Sequence, residues 1–124
     1  MLDFTDKTFR LTQTSADSVA GDINPLLIDG EQLFMAFKGP RDYVAFTSRR
    51  IIAVDVQGMS GKKKDFTSLP YSKVQAFSVE SAGAFDRDCE LELWFSSIGK
   101  IRFEFKGNTD VAYLNKLVAT YVLR

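Results

Sequence analysis

The chain has 124 residues, the size of one domain, and 45% of them are hydrophobic, which is ordinary for a globular protein. Its 16 basic and 16 acidic side chains give a formal net charge of zero, which argues against a general nucleic-acid binder because such proteins need a basic excess. The chain has no histidine, so the commonest general base and the commonest metal ligand are both missing.

The first part of the chain is predicted to be an N-terminal arm with short helical turns at residues 1–29, part of the same domain as the main body at 30–124. Phe9 and Leu11 alternate with polar residues, a pattern that fits a short added strand, an arm on a neighbouring subunit or a frayed end. Further along, Gly21 and Pro25 interrupt a series of apolar positions, which predicts one or two short helical turns.

Seven strands are predicted after residue 30, because apolar and polar residues alternate there with the period of a half-buried strand. They are expected at 31–38, 43–47, 50–56, 63–69, 74–80, 89–95 and 101–106. Gly58 and Gly61 supply the positive φ values that a hairpin between the third and fourth strands needs. Pro70 cannot donate to a strand ladder, so it should close the fourth strand.

An amphipathic helix is predicted at the end of the chain. Its apolar positions recur at helical spacing after a cap-like Asp110, and they are Val111, Leu114, Leu117, Val118, Tyr121 and Val122. A helix with one apolar stripe can cover the open end of a small bent sheet. The predicted fold is therefore mainly β, a barrel-like, seven-stranded, bent antiparallel sheet capped by a C-terminal helix.

Several stretches of the chain resemble the bacterial pleckstrin-homology-like (PH-like) family, in its single-domain type. They are 25–31, 46–52, 55–63, 68–71, 77–83 and 88–94, and their order and spacing together carry the resemblance. The resemblance implies the PH fold and a cyclic homo-oligomer, five-fold for single-domain members. It also implies a hydrophilic surface where strands of adjacent subunits meet, which would suit a protein partner.

Polar residues on strands and turns are the candidate positions for an interface or a protein-binding surface. They are Arg49, Arg50, Asp55, Gln57, Tyr71 and Glu80. Ordinary outward-facing strand polarity explains these six equally well. Trp94 joins them because it alternates with Leu93 and because tryptophan is enriched at interface hot spots; a second core layer is its alternative role.

Lys62, Lys63 and Lys64 form the densest basic run and are the candidate anion-binding residues. The alternative is a solvated strand start, since lysines also protect an edge strand from aggregation. Eukaryotic PH domains that bind phosphoinositides usually use basic residues around their first hairpin, and residues 38–42 of this chain are sparse in such residues. A membrane surface is therefore an alternative partner and not the favoured one.

No residue pattern predicts a catalytic centre, a metal site or a cofactor. Asp86, Asp88 and Glu90 alternate as calcium ligands can, but the glycine-centred calcium-loop pattern is absent. Cys89 stands between two carboxylates that raise a thiol pKa, so a buried, inert cysteine is expected. A single cysteine excludes an internal disulfide, and the first residues carry no secretory signal, so a cytoplasmic location is expected.

The sequence thus predicts a non-catalytic PH-like domain without a cofactor. It should act as a self-assembling scaffold or adaptor, a cyclic homo-oligomer that binds an unidentified protein at its subunit junctions. The alternative function is a peripheral module that binds anionic lipid or another anion through Lys62, Lys63 and Lys64.

Overall fold

The computed structural model describes residues 1–2, 4, 9–81, 88–107 and 109–124. Eight strands form one sheet: β1 (Phe9–Thr14), β2 (Leu33–Lys38), β3 (Tyr43–Thr47), β4 (Arg50–Gln57), β5 (Lys63–Pro70), β6 (Val74–Ser81), β7 (Cys89–Phe95) and β8 (Gly99–Lys106). The two α-helices are α1 (Asp17–Ile23) and α2 (Val111–Val122), and single 3₁₀ turns follow α1 at Asn24–Leu26 and β5 at Tyr71–Lys73.

The sheet consists of two antiparallel meanders that β1 joins. Strands β2 to β5 pair in chain order, as do β6 to β8. β1 lies between the meanders, antiparallel to β2 and parallel to β8. The strand order is therefore β5-β4-β3-β2-β1-β8-β7-β6, and the sheet is not closed. In the described part of the chain, β5 and β6 are its edges, each paired on one side.

The predicted mainly β architecture with a C-terminal helix is confirmed, but the strand count of seven is wrong. The eighth strand is β1, whose alternating Phe9 and Leu11 had also fitted a frayed end or an arm. Its pairing with β8 is parallel, whereas only antiparallel pairs were expected. Periodicity marks a half-buried strand but carries no information about a partner at the other end of the chain.

The main core lies between the inner faces of the two meanders and α2. Aromatic rings from distant strands meet there, and the ring centroids of Phe37 and Phe105 lie 4.0 Å apart. The stripe of α2 contributes Leu114, Leu117 and Val118, all buried. Since α2 also contacts β6 and the turn at Tyr71–Lys73, it lies where the sheet fails to close.

A second, smaller core covers the outer face of β2, β3 and β4. Val19 and Ile23 of α1 pack there against Ala45, Ile52 and Val54. Because the main core covers the other face of this meander, all five residues of β3 are buried. The N-terminal segment is therefore a structural layer of the domain.

Replacing Ile23 tests the contribution of this layer. Ile23→Ala should lower the free energy of unfolding by about 2–5 kcal/mol, because it removes fully buried apolar atoms and leaves a cavity. Ile28→Ala is the matched control at an isoleucine that is 62% exposed, and it should change stability by less than about 0.5 kcal/mol. Denaturant unfolding measures both, and equal losses would contradict the packing of α1.

Candidate functional site

The predicted site residues fall into three regions of the subunit. Arg49, Arg50 and Tyr71 lie at the end of the domain that carries the β3–β4 turn. Asp55, Gln57 and the three lysines lie around the β4–β5 hairpin, and Glu80 and Trp94 lie on the sheet formed by β6 and β7. The first two regions are at opposite ends of β4, roughly 23 Å apart at about 3.3 Å per residue. Within one subunit they form no continuous seam.

Arg50 is fixed in place by a buried carboxylate that sequence reasoning had not selected. The Glu31 side chain has no exposed area, and Arg50 binds it through both terminal oxygens, with Nε donating to Oε2 at 2.9 Å and Nη2 to Oε1 at 3.0 Å. Arg50 Nη2 also donates to the Leu26 carbonyl at 2.7 Å, and Nη1 donates to Ser68 Oγ at 2.9 Å. This arginine therefore connects the N-terminal segment, β4 and β5.

The other groups around Glu31 stabilise its charged form. Thr47 Oγ1 donates to Glu31 Oε2 at 2.6 Å, and the Ile28 amide donates to Oε1 at 3.1 Å. Burial by itself raises the pKa of Glu31, but the hydrogen bonds from Arg50, Thr47 and Ile28 outweigh it, so the pKa is lowered. The Glu31–Arg50 pair is a structural element at neutral pH.

A hollow of about 550 Å³ lies beside this pair, and it is called the arginine hollow below. Twelve residues line it: Ile28, Glu31, Ser48, Arg49, Arg50, Ser68, Pro70, Tyr71, Ser72, Tyr121, Val122 and Arg124. Sequence reasoning selected three of the twelve. The others come from four separate segments, so no local motif marked them as neighbours.

Tyr71 lies in the 3₁₀ turn after β5 and is buried, so outward-facing strand polarity, the alternative to its interface role, does not describe it. Its side chain is only 2% exposed and stacks on Tyr121 with ring centroids 5.6 Å apart. Burial, then the nearby Tyr121 and Glu31, raise the pKa of Tyr71. Its hydroxyl is buried without a hydrogen-bond partner among the described residues.

At the hairpin end, the lysine run is not a set of three free cations. Lys64 Nζ donates to Asp22 Oδ2 of α1 at 2.9 Å, and the Tyr43 hydroxyl donates to the same oxygen at 2.7 Å. These hydrogen bonds, that of Tyr43 first, lower the pKa of Asp22. Lys62 and Lys63 are exposed.

The two other polar candidates at the hairpin end form part of a local network on β4 and β5. Gln57 Nε2 donates to Asp55 Oδ2 at 2.9 Å, and Asp55 stands opposite Asp65 of β5 in the strand register. Both candidate side chains are partly exposed at the rim of the sheet.

On the β6–β7 sheet, Trp94 and Glu80 are exposed. Trp94 is 49% exposed, so it is not part of a second core layer. It lies opposite Ala76 in the strand register, and with Ala76, Phe77 and Lys100 it borders a shallow groove of about 160 Å³. This combination of an edge strand and an exposed tryptophan provides an apolar contact surface.

The residues considered for metal or thiol chemistry have structural contacts. Asp88 Oδ1 accepts from the Gly107 amide at 2.6 Å, and Glu90 pairs with Arg102 at 3.2 Å. Asp86 lies outside the described residues. Cys89 is buried, and burial, then the charges of Asp88 and Glu90, raise its thiol pKa, as expected for an inert cysteine.

Two meanders joined in one open sheet and a C-terminal helix at the gap define a PH-like domain. The chain belongs to the bacterial PH domain family, which matches residues 4–122, and this confirms the resemblance found in the sequence. Within the described ranges, no helix is long and apolar enough to cross a membrane.

The chain is similar to two uncharacterized proteins of Bacillus subtilis strain 168. It is 39% identical to YjqA over 107 residues, which cover 85% of this chain and 86% of YjqA. It is 32% identical to YozO over 108 residues, which cover 87% and 93% of the two chains.

Two solved structures are also similar. A DUF1696 family protein with a pleckstrin-homology domain, from Shewanella loihica PV-4, has a TM-score of 0.77 at 37% identity. The match covers 92% of this chain and 98% of that one. A pleckstrin homology domain from Shewanella amazonensis SB2B has a TM-score of 0.66 at 41% identity, covering 90% of each chain.

The structural role of Arg50 can be separated from that of its neighbour. Arg50→Ala should lower the free energy of unfolding by about 3 kcal/mol, because it leaves the Glu31 carboxylate buried without its cation. Arg49→Ala should change stability by less than about 0.5 kcal/mol, because the Arg49 guanidinium is exposed and has no partner among the described residues. Denaturant unfolding at pH 7 compares the two, and similar losses would contradict the pairing.

The lowered pKa of Glu31 predicts a pH dependence of stability. A carboxyl with a depressed folded-state pKa stabilises the fold fully above its ordinary value of 4.5, and this stabilisation is lost as the pH falls through the folded-state pKa. Glu31→Gln should therefore reduce the loss of stability between neutral and acid pH. Unfolding curves over this pH range measure it, with Glu80→Gln as an exposed control; parallel profiles for Glu31→Gln and wild type would exclude the contribution.

Proposed function

We propose that this protein is a non-catalytic scaffold or adaptor that assembles with its own copies through its sheet edges and binds a protein partner at the junctions. A five-membered ring is the assembly that the family resemblance implies. The observation that carries the proposal is the exposed edge strand β6.

β6 differs from an edge that is protected against pairing. It is eight residues long, and Glu80 is its single charged residue. Its outward residues Ala76, Ser78 and Glu80 are exposed, while Phe77 and Val79 pack on the main core. An edge strand of this length and low charge is a template for pairing with another chain.

The opposite edge of the sheet has features that limit the pairing of one β5 edge with another β5 edge. β5 begins with Lys63 and Lys64 and ends at Pro70, which has no amide hydrogen to donate. The two edges are therefore unlike in charge and in hydrogen-bonding capacity. A contact between unlike surfaces of successive copies is heterologous, and it forms a ring when its rotation closes.

The polar candidate residues fit a site shared between two subunits better than a site within one subunit. Asp55 and Gln57 lie beside the β5 edge, and Glu80 and Trp94 lie beside the β6 edge. Joining the β5 edge of one copy to the β6 edge of the next would bring these groups together. A composite surface with an exposed tryptophan among charges has the composition of a protein-binding site.

The alternative, binding of anionic lipid through Lys62, Lys63 and Lys64, has less support. Asp22 holds Lys64, so two of the three lysines are exposed without this pairing. Two exposed lysines on a hairpin supply only a weak attraction to an anionic surface, about 1 kcal/mol each.

Light scattering coupled to size-exclusion chromatography tests the proposal. The wild-type protein should give a discrete multiple of 13.9 kDa that persists on dilution. Ala76→Lys should shift the mass towards the monomer, because it adds a second charge to the β6 edge.

Gln13→Lys is the matched control, because it adds the same charge at an exposed position of β1, which is an interior strand of the sheet. It should leave the mass unchanged. A monomeric wild-type protein would refute the assembly, and an Ala76→Lys protein of unchanged mass would exclude the β6 edge as the contact.

A further inference from the structure

The arginine hollow has the dimensions of a ligand site. It lies between the β3–β4 turn, the turn at Tyr71–Lys73 and the C-terminal end of α2, and its volume of about 550 Å³ falls in the range of small-molecule pockets. It is at the opposite end of β4 from Lys62 and Lys63, so it is separate from the predicted anion-binding lysines.

The charge of the lining is positive. Among the side chains of the lining, three arginines stand against one carboxylate, Glu31, which gives a net side-chain charge of +2. Glu31 is already neutralised by Arg50 at 2.9 Å. The excess therefore belongs to Arg49 and Arg124, and Arg124 stays near the lining by packing over the Tyr121 ring, 4.7 Å from its centroid.

The hydroxyl groups of the lining are arranged to donate hydrogen bonds. Ser48 Oγ accepts from the Gln32 amide at 3.0 Å, and Ser68 Oγ accepts from Arg50 at 2.9 Å. Each hydroxyl also has one hydrogen to donate, and no described hydrogen bond uses it. Ser72 adds a third hydroxyl at the exposed side of the lining.

Arg50 is held rigidly while it contributes to this set of donors. A guanidinium has five N–H groups, and the described contacts of Arg50 occupy four of them: two with Glu31, one with Leu26 and one with Ser68. The remaining N–H is on Nη1, the nitrogen that binds Ser68. A donor fixed in advance binds an anion without a further loss of side-chain freedom.

One residue of the lining, Tyr71, has a buried polar group without a partner among the described residues. Tyr71 is 2% exposed, lines the hollow, and has a buried hydroxyl that makes no hydrogen bond with the described residues. An unmade hydrogen bond of this kind costs free energy.

We propose that the arginine hollow binds a tetrahedral oxyanion, as inorganic phosphate or as the phosphate group of a small organic phosphate. Phosphate accepts hydrogen bonds and donates few, which matches a lining of arginine and hydroxyl donors. The apolar part of the lining is formed by Ile28, Pro70, Tyr121 and Val122. It could contact the organic group that carries the phosphate. This site does not depend on the proposed assembly.

Calorimetric titration in buffer free of phosphate and sulfate tests the site, with inorganic phosphate and phenyl phosphate as the probes. Both should bind saturably, and phenyl phosphate should bind more tightly because its ring can contact the Tyr121 wall. Sodium chloride at equal ionic strength should give no saturable heat. Absence of saturable binding by both phosphates would overturn the proposal that the hollow binds a soluble phosphate.

Paired variants locate the binding. Arg49→Gln combined with Arg124→Gln should weaken phosphate binding at least tenfold, and the melting temperature should stay at the wild-type value because neither side chain holds the fold together. Lys62→Gln combined with Lys63→Gln removes the same charge at the other end of β4 and should leave phosphate binding unchanged. Equal losses in the two double variants, or a loss confined to the lysine variant, would overturn the assignment.

Vesicles distinguish a soluble phosphate from a lipid headgroup. The protein should not sediment with phosphatidylcholine vesicles that contain phosphatidic acid if the ligand is a soluble phosphate. Sedimentation that the arginine variant abolishes would assign the same oxyanion site to a headgroup. Sedimentation that only the lysine variant abolishes, together with no binding of either soluble phosphate, would exclude the arginine hollow as the anion site.

Discussion

The fold depends on β1, because it is the only described strand that pairs with both meanders. Its residues Phe9 to Thr12 run beside β8, and Thr12 to Thr14 run beside β2. Without this strand, the ladder would be interrupted between β2 and β8, and the inner face of Phe9 and Leu11 would be missing from the main core. The N-terminal segment is thus part of the sheet, and α1 continues from it to cover the outer face of β2, β3 and β4.

The Glu31–Arg50 pair has a comparable role at one end of the domain. Arg50 reaches the Leu26 carbonyl, so it holds the end of the N-terminal segment against β4 and β5. The same geometry positions the β3–β4 turn and leaves Arg49, its neighbour, exposed in the lining of the arginine hollow. A structural ion pair and a candidate binding surface are built from adjacent arginines, and contact with a buried carboxylate is the difference between them.

The positions of the candidate binding surfaces follow from where the sheet ends. Since β5 and β6 are not joined, the domain has two unlike edges, and α2 covers the gap on the inner side. Trp94 and Glu80 are displayed next to one edge and Asp55 and Gln57 next to the other. The arginine hollow lies at the end where the turn after β5 meets α2. The proposed edge contact would use β5 and β6, and the proposed anion site would share only Ser68 and Pro70 with the β5 edge.

The sequence by itself determined the local elements. Alternation located the strands after residue 30 within a few positions, and the apolar stripe after Asp110 located α2, because both signals depend on neighbours a few residues apart. Tertiary structure alone decided that β1 pairs with β8, that Tyr71 is buried, that Lys64 is held by Asp22 and that Glu31 pairs with Arg50. Each of these joins residues that are distant along the chain or depends on what covers a side chain, and periodicity does not encode contacts at that range.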